Sequence, residues 1–334
     1  MTASRNDAPE SRREFLRRGG EAIALGGLLG SSIPLLAQEN RETVNESTIP
    51  IVDTHQHLWD LSLFELPWLT GAPESFKRDY VMKDYLAATE GLNVIKAVYM
   101  EVNVADAQKD KEAEYVFDLC EKKDNPMAAA VIGGLPHQRE FAAYAKKHAK
   151  NESLRGVRNV LHDPDRPKGM CLEPIFVDNM QLLGDLGLSF DLCMRPGEIS
   201  DGVALAKKCP GTRFIIDHCG NMPVKDYDEK LHKSWRSAMK AAAQCDNVVC
   251  KISGIVVTAE KGSWTAETLA PHINFCLDTF GEDRVFFGGD WPVCTLAATY
   301  SAWTNALKEI VKNRSPEFQR KLFHDNAARL YRLT

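Results

Sequence analysis

The stretch Ile51-Val52-Asp53-Thr54-His55-Gln56-His57 holds the pattern on which the fold turns. A short apolar run hands over to a carboxylate and two imidazoles, and then a long polar-aromatic segment follows. Similar runs recur at Ile95–Met100, Ala128–Ile132, Gly156–Val160, Leu188–Leu192, Phe214–Asp217, Val248–Ile252 and Val285–Gly288. Near-continuous apolar runs of this length suit parallel strands covered on both faces. Between them the apolar residues take helical spacing, as in Phe176, Met180 and Leu183, in Leu231, Trp235 and Met239, and in Leu269, Ile273 and Cys276. Eight strand–helix units with right-handed crossovers predict an α/β protein, a single-domain (β/α)8 barrel. No glycine-rich phosphate loop follows a strand, which argues against an open dinucleotide-binding sheet. The segment Leu58–Met82, with Trp59, Pro67 and Trp68, is expected to cover one barrel end.

The chain has 334 residues, 44% hydrophobic and 26% charged, which is the composition of an ordinary globular protein. Its net charge of −5 carries no polyanion-binding signature and argues against nucleic acid as a partner. Before the barrel, Ser11-Arg12-Arg13-Glu14-Phe15-Leu16-Arg17-Arg18 precedes a glycine- and alanine-rich apolar stretch from Ala22 to Ala37. An arginine pair, Phe-Leu and a weakly apolar region in this order resemble a bacterial twin-arginine export signal. The apolar core is too short for a stable membrane span, which takes about 20 residues. The expected division is a signal at 1–37 cut after Ala37, a linker at 38–48 and the barrel at 49–334. The expected partner is the twin-arginine export machinery and the expected location periplasmic or extracytoplasmic. Nine cysteines without a CxxC pair read as small core hydrophobes, with Cys245 and Cys250 the one pairing left open.

In such a barrel the chemistry sits at the C-terminal ends of the strands. There the sequence places His55 and His57 (strand 1), Glu101 and Asn103 (strand 2), Arg158 and His162 (strand 4), Cys193 and Arg195 (strand 5), Asp217 and His218 (strand 6), Lys251 and Ser253 (strand 7), and Asp290 with Trp291 (strand 8). Two histidines two apart on an extended chain share a face. With His218 and Asp290 they form a plausible donor set for Zn²⁺ with room for water. His137, His148 and His232 stand among charged helix residues and read as surface. His324-Asp325-Asn326 reads as support for the barrel bottom or as a helix cap.

With these residues in hand, the sequence resembles the amidohydrolase superfamily of TIM-barrel hydrolases, and within it the "amidohydrolase 2" branch. The resemblance rests on Asp53-Thr54-His55-Gln56-His57-Leu58-Trp59-Asp60, Arg155-Gly156-Val157-Arg158, Asp217-His218-Cys219-Gly220, Gly288-Gly289-Asp290-Trp291-Pro292 and His324-Asp325-Asn326-Ala327-Ala328-Arg329. It implies kinship with sugar-acid lactonases and pyrone-dicarboxylate hydrolases. Binuclear members bridge two metals through a strand 4 lysine or glutamate and place a histidine after strand 5. Here Gly156–Val160 holds no lysine and Cys193 stands at the second position. The expected cofactor is therefore one divalent metal, zinc, or none.

The expected reaction is hydrolysis of a cyclic ester, a sugar-acid lactone. Asp290 would activate water and His218 would assist, both also standing in the metal set with His55 and His57. Arg158, Arg195, Glu101, His162 and Trp291 are the expected substrate contacts. Two other readings stay open: a metal-dependent decarboxylase of an aromatic or muconate-type acid, and a non-catalytic barrel that binds sugar acids. The signal reading predicts that an Arg12→Lys/Arg13→Lys variant accumulates in the cytoplasm. Cell fractionation checks this, and export at the unchanged rate would contradict it.

Overall fold

The computed structural model describes residues 49–226 and 228–333; the predicted signal and linker lie outside the described residues. Eight strands stand side by side in chain order, every neighbouring pair parallel. They are β1 (Ile51–Gln56), β2 (Val94–Met100), β3 (Met127–Gly133), β4 (Leu154–Val160), β5 (Ser189–Cys193), β6 (Arg213–Ile216), β7 (Val248–Ile252) and β8 (Val285–Phe287). The ring closes between β8 and β1, where Gln56 bridges Trp291 and the Asp290 N–H donates to the His55 carbonyl at 2.7 Å. Around the strands lie α1 (Met82–Ala88), α2 (Lys109–Glu121), α3 (Phe141–His148), α4 (Pro174–Asp185), α5 (Ile199–Lys208), α6 (Glu229–Ala243), α7 (Ala266–Phe280) and α8 (Tyr300–Val311). Two short helices, α9 (Pro316–Arg320) and α10 (Asn326–Leu330), complete the chain. This is the (β/α)8 barrel that the strand–helix alternation predicts.

The burial follows the sequence periodicities. All residues of β1, β5, β7 and β8 are buried, as strands covered on both sides must be. Phe176, Met180 and Leu183 of α4, Trp235 and Met239 of α6, and Leu269, Ile273 and Cys276 of α7 are buried against the sheet. Each such large apolar side chain contributes about 1.5–3 kcal/mol on burial. A second, smaller core fills the barrel itself: Val52, Val98, Met100, Ala129, Val131, Ile215, Val249 and Phe286, with Tyr331. At the barrel bottom Asn326 Nδ2 donates to the carbonyls of Glu282 and Val285, tying α10 to the entry of β8.

One local irregularity decides what the barrel mouth contains. Val52 belongs to the interior core, and His55, three residues on, also points inward. A regular pleat alternates faces and forbids this. The register shift between Asp53 and Gln56 takes up the odd residue. Asp53 turns outward instead and becomes a clasp. One of its oxygens accepts the N–H groups of His55 and Gly289 (3.0 and 2.7 Å), and the other the hydroxyls of Tyr85 and Tyr300 (2.9 and 3.0 Å). That single carboxylate joins β1, the chain after β8, α1 and α8.

The segment after β1 forms short 3-10 turns at Pro67–Gly71 and Glu74–Phe76. Its Trp59, Trp68, Phe76 and Tyr80 pack edge to face. The open pairing is answered and one expectation needs correction. Cys245 and Cys250 are not joined: all nine thiols are free. The Cys245 thiol faces the Ala241 carbonyl, whereas Cys250 sits inside β7 in the sheet–helix core. His148 is buried rather than on the surface, because its ring packs against Phe117 and Tyr144 while Nε2 reaches Asp110 at 2.7 Å. Among the described residues no helix is long and apolar enough to cross a membrane.

Candidate active site

Three side chains meet where the ring closes. The carbonyls of Met100 and Glu101 lie 2.9 and 3.1 Å from His57 Nδ1. Carbonyls only accept, so Nδ1 carries a proton and Nε2 is the nitrogen turned to the site. His57 Nε2 faces Asp290 Oδ1 at 3.4 Å, and His55 Nε2 stands 3.6 Å from the same oxygen. Arg158, a permanent donor, places Nη1 at 3.2 Å from His55 Nε2, so this nitrogen is an acceptor. His55 Nδ1 stands between the Lys251 ammonium at 3.3 Å and Asp217 Oδ1 at 3.5 Å. Burial, then the Lys251 ammonium, lowers the His55 pKa well below its ordinary value, so the ring is neutral at pH 7.

Beneath these groups runs a buried charged layer. Lys251 of β7 reaches Asp191 of β5 at 2.7 Å and Asp217 at 3.0 Å, with all three side chains fully buried. Burial opposes the charge of Asp217, yet Lys251 and His55 hold its carboxyl well below the usual range. Burial wins at Asp191, which is pushed up to about 7 against the pull of Lys251. Arg158 Nε donates to Glu101 Oε1 at 2.7 Å and Nη2 to the Glu101 carbonyl at 2.6 Å. Burial opposes the charge of Glu101 as well, but Arg158 and then Lys109 keep its carboxyl below the ordinary value.

The backbone is bent to deliver these groups. Asp290, His218, Asn103 and Asn221 all adopt positive φ, between 51° and 55°. This region costs a non-glycine residue of order 1–3 kcal/mol and persists only where packing imposes it. Gly254, at φ +58°, opens the space that His218 and Asp290 share. A Cβ there would lie 2.3 Å from His218 Nδ1 and 2.8 Å from Asp290 Oδ2. His218 Nδ1 pairs with Ser253 Oγ at 2.9 Å, and burial lowers the pKa of the ring.

Above the cluster opens a cavity of about 300 Å³, the size of a small-molecule site. Trp59 and Trp68 of the segment after β1 line it, with Val102, Val160, Val257 and Val293. Of the predicted residues, His57, Arg158, His162, His218 and Asp290 line it. His55 lies beneath, against Arg158. Three predicted contacts are placed elsewhere. Arg195 directs its guanidinium to the carbonyls of Leu161, Asp163 and Arg166 and to Glu198, and so clamps the loop after β4. Glu101 holds Arg158 from behind. Trp291 is buried against Tyr80 and Tyr85, and its carbonyl accepts the His57 N–H. The sequence reading gave no role to Asp191, the acid in the middle of an otherwise apolar strand, nor to the Asn103–Asp163 pair on the cavity wall, joined at 2.8 Å. An acid at a core-facing strand position is a readable signal.

The donor set fits a divalent cation. His55, His57 and Asp290 bring ligand atoms within 4.8 Å of one another, and so do His55, Asp217 and His218. Two imidazole nitrogens and a carboxylate oxygen converge there. Both oxygens of fully buried Asp217 also lack a hydrogen-bond partner, since Lys251 balances their charge without donating in good geometry.

The comparisons with known proteins follow this geometry. The family described as Amidohydrolase matches residues 52–333. The uncharacterized protein y4mH of Sinorhizobium fredii is 31% identical over 304 residues, covering 86% of this chain and 100% of its own. L-fucono-1,5-lactonase of Burkholderia multivorans is 27% identical over 290 residues, covering 84% of this chain and 96% of its own. A crystal structure of an amidohydrolase from Burkholderia multivorans with bound zinc superimposes with a TM-score of 0.75 at 23% identity, covering 85% of this chain and 100% of that one.

Two outcomes follow from this arrangement. Gly254→Ala should displace His218 and Asp290 together and lower turnover about a hundredfold or more, measured as kcat on the substrate identified below. Glu112 tests the buried charges through pH. Its Oε1 accepts the Tyr99 hydroxyl and the Val102 N–H, its Oε2 has no partner, and burial, then the Glu101 charge, pushes it up to about 7. A carboxyl raised on folding contributes stability at low pH that is lost as pH rises through about 7. Urea melts should therefore find Glu112→Gln gaining on the wild type between pH 5 and pH 8. A constant difference would contradict the buried, raised carboxyl.

Proposed function

The chain belongs to the amidohydrolase family and is a hydrolase, and we propose that its substrate is a cyclic ester, a sugar-acid lactone. The carrying observation is the Asp290 carboxylate facing Nε2 of His57 and Nε2 of His55 at the floor of a tryptophan-walled cavity. The likeness to L-fucono-1,5-lactonase supports the substrate class. Aromatic faces suit the C–H face of a sugar ring, and the Asn103–Asp163 pair supplies polar groups for its hydroxyls.

Water held beside Asp290 gives its proton to the carboxylate as its oxygen attacks the lactone carbonyl. Arg158 and His218 flank the cavity and stabilise the oxyanion that develops. Collapse of the tetrahedral intermediate breaks the ring C–O bond. Asp290 then returns the proton to the leaving alkoxide, and a hydroxy acid results. His55, His57 and Asp290 would hold a divalent ion, zinc in our reading, which when bound would acidify water or polarise the carbonyl. We also propose that 1–37 directs twin-arginine export and that the enzyme acts in the periplasm, a reading supported by the order of Arg12-Arg13, Phe15-Leu16 and the apolar stretch.

The test is proton release from a panel of sugar-acid lactones, with and without a chelator. Release abolished by chelator and restored by Zn²⁺ supports the one-metal form; release that survives chelation supports the metal-free form. No release from any lactone, with carbon dioxide evolved from an aromatic acid, would replace this reading by the decarboxylase. Asp290→Asn should lower kcat by about 10²–10⁴ while the thermal midpoint holds near the wild-type value.

A further inference from the structure

The opposite end of the barrel carries a second cavity, of about 240 Å³, beneath the N-terminal ends of β4, β5 and β6. Arg155, Arg213 and Arg332 line it, and no aspartate or glutamate does. They come from three parts of the fold: the second residue of β4, the first residue of β6 and the segment after α10. Two of them are fixed in place. Arg155 Nε donates to the Tyr331 carbonyl and its Nη1 to the carbonyls of Glu152 and Leu154, while Arg332 Nη1 donates to the Gly187 carbonyl at 3.0 Å. Among the described residues Arg213 makes no hydrogen bond or ion pair.

The polar residues between them are already engaged. Asn247 Nδ2 donates to the carbonyls of Ala206, Cys209 and Thr212, and the Thr212 hydroxyl donates to Met180. The unmet donors of the cavity are therefore guanidinium N–H groups. Like charges also crowd them, Arg332 beside Arg155 within the cavity and Arg329 beside Arg213 from outside its lining. Burial, then Arg332, lowers the pKa of Arg155, and burial, then Arg329, lowers that of Arg213. In a chain of net charge −5, a concave cluster of like charges without a lining acid is the arrangement that a counter-anion relieves.

We propose that this cavity binds a small multivalent oxyanion of the phosphate class, held by Arg155, Arg213 and Arg332 at the end of the barrel remote from Asp290. Guanidinium forks match the oxygen spacing of phosphate and bind it through charge-assisted pairs. Free phosphate and a phosphomonoester share this chemistry, and the two arms of the test separate them.

The full chain is titrated by calorimetry with inorganic phosphate and, separately, with glycerol 3-phosphate, at an ionic strength held constant with chloride. The proposal expects saturable binding of one anion per chain. It expects affinity lower by about tenfold or more in Arg213→Gln/Arg332→Gln, since each charged hydrogen-bonding partner removed costs about that factor. Both substituted residues are exposed, and Arg213→Gln alone, which breaks no hydrogen bond, guards against a folding effect. Lactone turnover without phosphate should match the wild type in both variants. Tighter binding of the ester assigns the site to phosphomonoesters, and equal or weaker binding assigns it to free phosphate. No saturable binding of either anion, or equal binding by wild type and variants, would overturn the proposal.

Discussion

An ammonium cannot be left alone in a protein interior. Lys251 is fully buried inside the barrel, and removing such a charge from water costs several kcal/mol unless carboxylates meet it. Asp191 does so from β5 and Asp217 from the residue that follows β6. Their pairing fixes more than charge. Asp217 lies against His55, which lies against Arg158, which is held in turn by Glu101. The candidate site thus sits on a charged layer whose members cannot move singly, and this is the rigidity that catalytic geometry requires. The same layer makes the interior of this barrel half apolar core and half ion network.

The closing of the ring carries a second constraint. Asp53 accepts four hydrogen bonds from β1, the chain after β8, α1 and α8, so the seam where His55, His57 and Asp290 meet is also the seam where the barrel shuts. Positive φ at Asp290 and His218 and the open space at Gly254 show where local backbone preference has yielded to the site. Folding and function share this stretch of backbone, and an isosteric change such as Asp290→Asn, which keeps the backbone contact to His55, separates them.

Much of this was legible in the sequence. The eight apolar runs became eight strands whose boundaries move by a few residues at most, because strands buried on both faces leave a compositional trace that period alone does not need to supply. The strand ends named the cavity residues His57, Arg158, His162, His218 and Asp290 and, just beneath them, His55. Arg195 shows the limit. At a strand end an arginine can face either the mouth or the loops, and only the carbonyls of Leu161, Asp163 and Arg166 decide which. Trp291 failed similarly: its position after Asp290 is adjacent to the site, but the chain turns it toward Tyr80 and Tyr85. The register shift in β1 leaves no mark on composition, so the outward role of Asp53 could not be read beside the inward role of His55. Asp191 was visible as an acid in an apolar strand, yet its partner lies 60 residues away in sequence.

The central claim is that Asp290, beside the imidazoles of His55 and His57, is the base that activates water against a lactone lying on the tryptophan wall. The most direct measurement is a crystal structure of the Asp290→Asn variant soaked with a sugar-acid lactone that the wild type turns over. The account predicts an intact lactone ring against Trp59 and Trp68, with its carbonyl carbon about 3–3.5 Å from a water that the substituted side chain holds. A lactone bound with its carbonyl turned away from position 290, or bound outside this cavity, would contradict it.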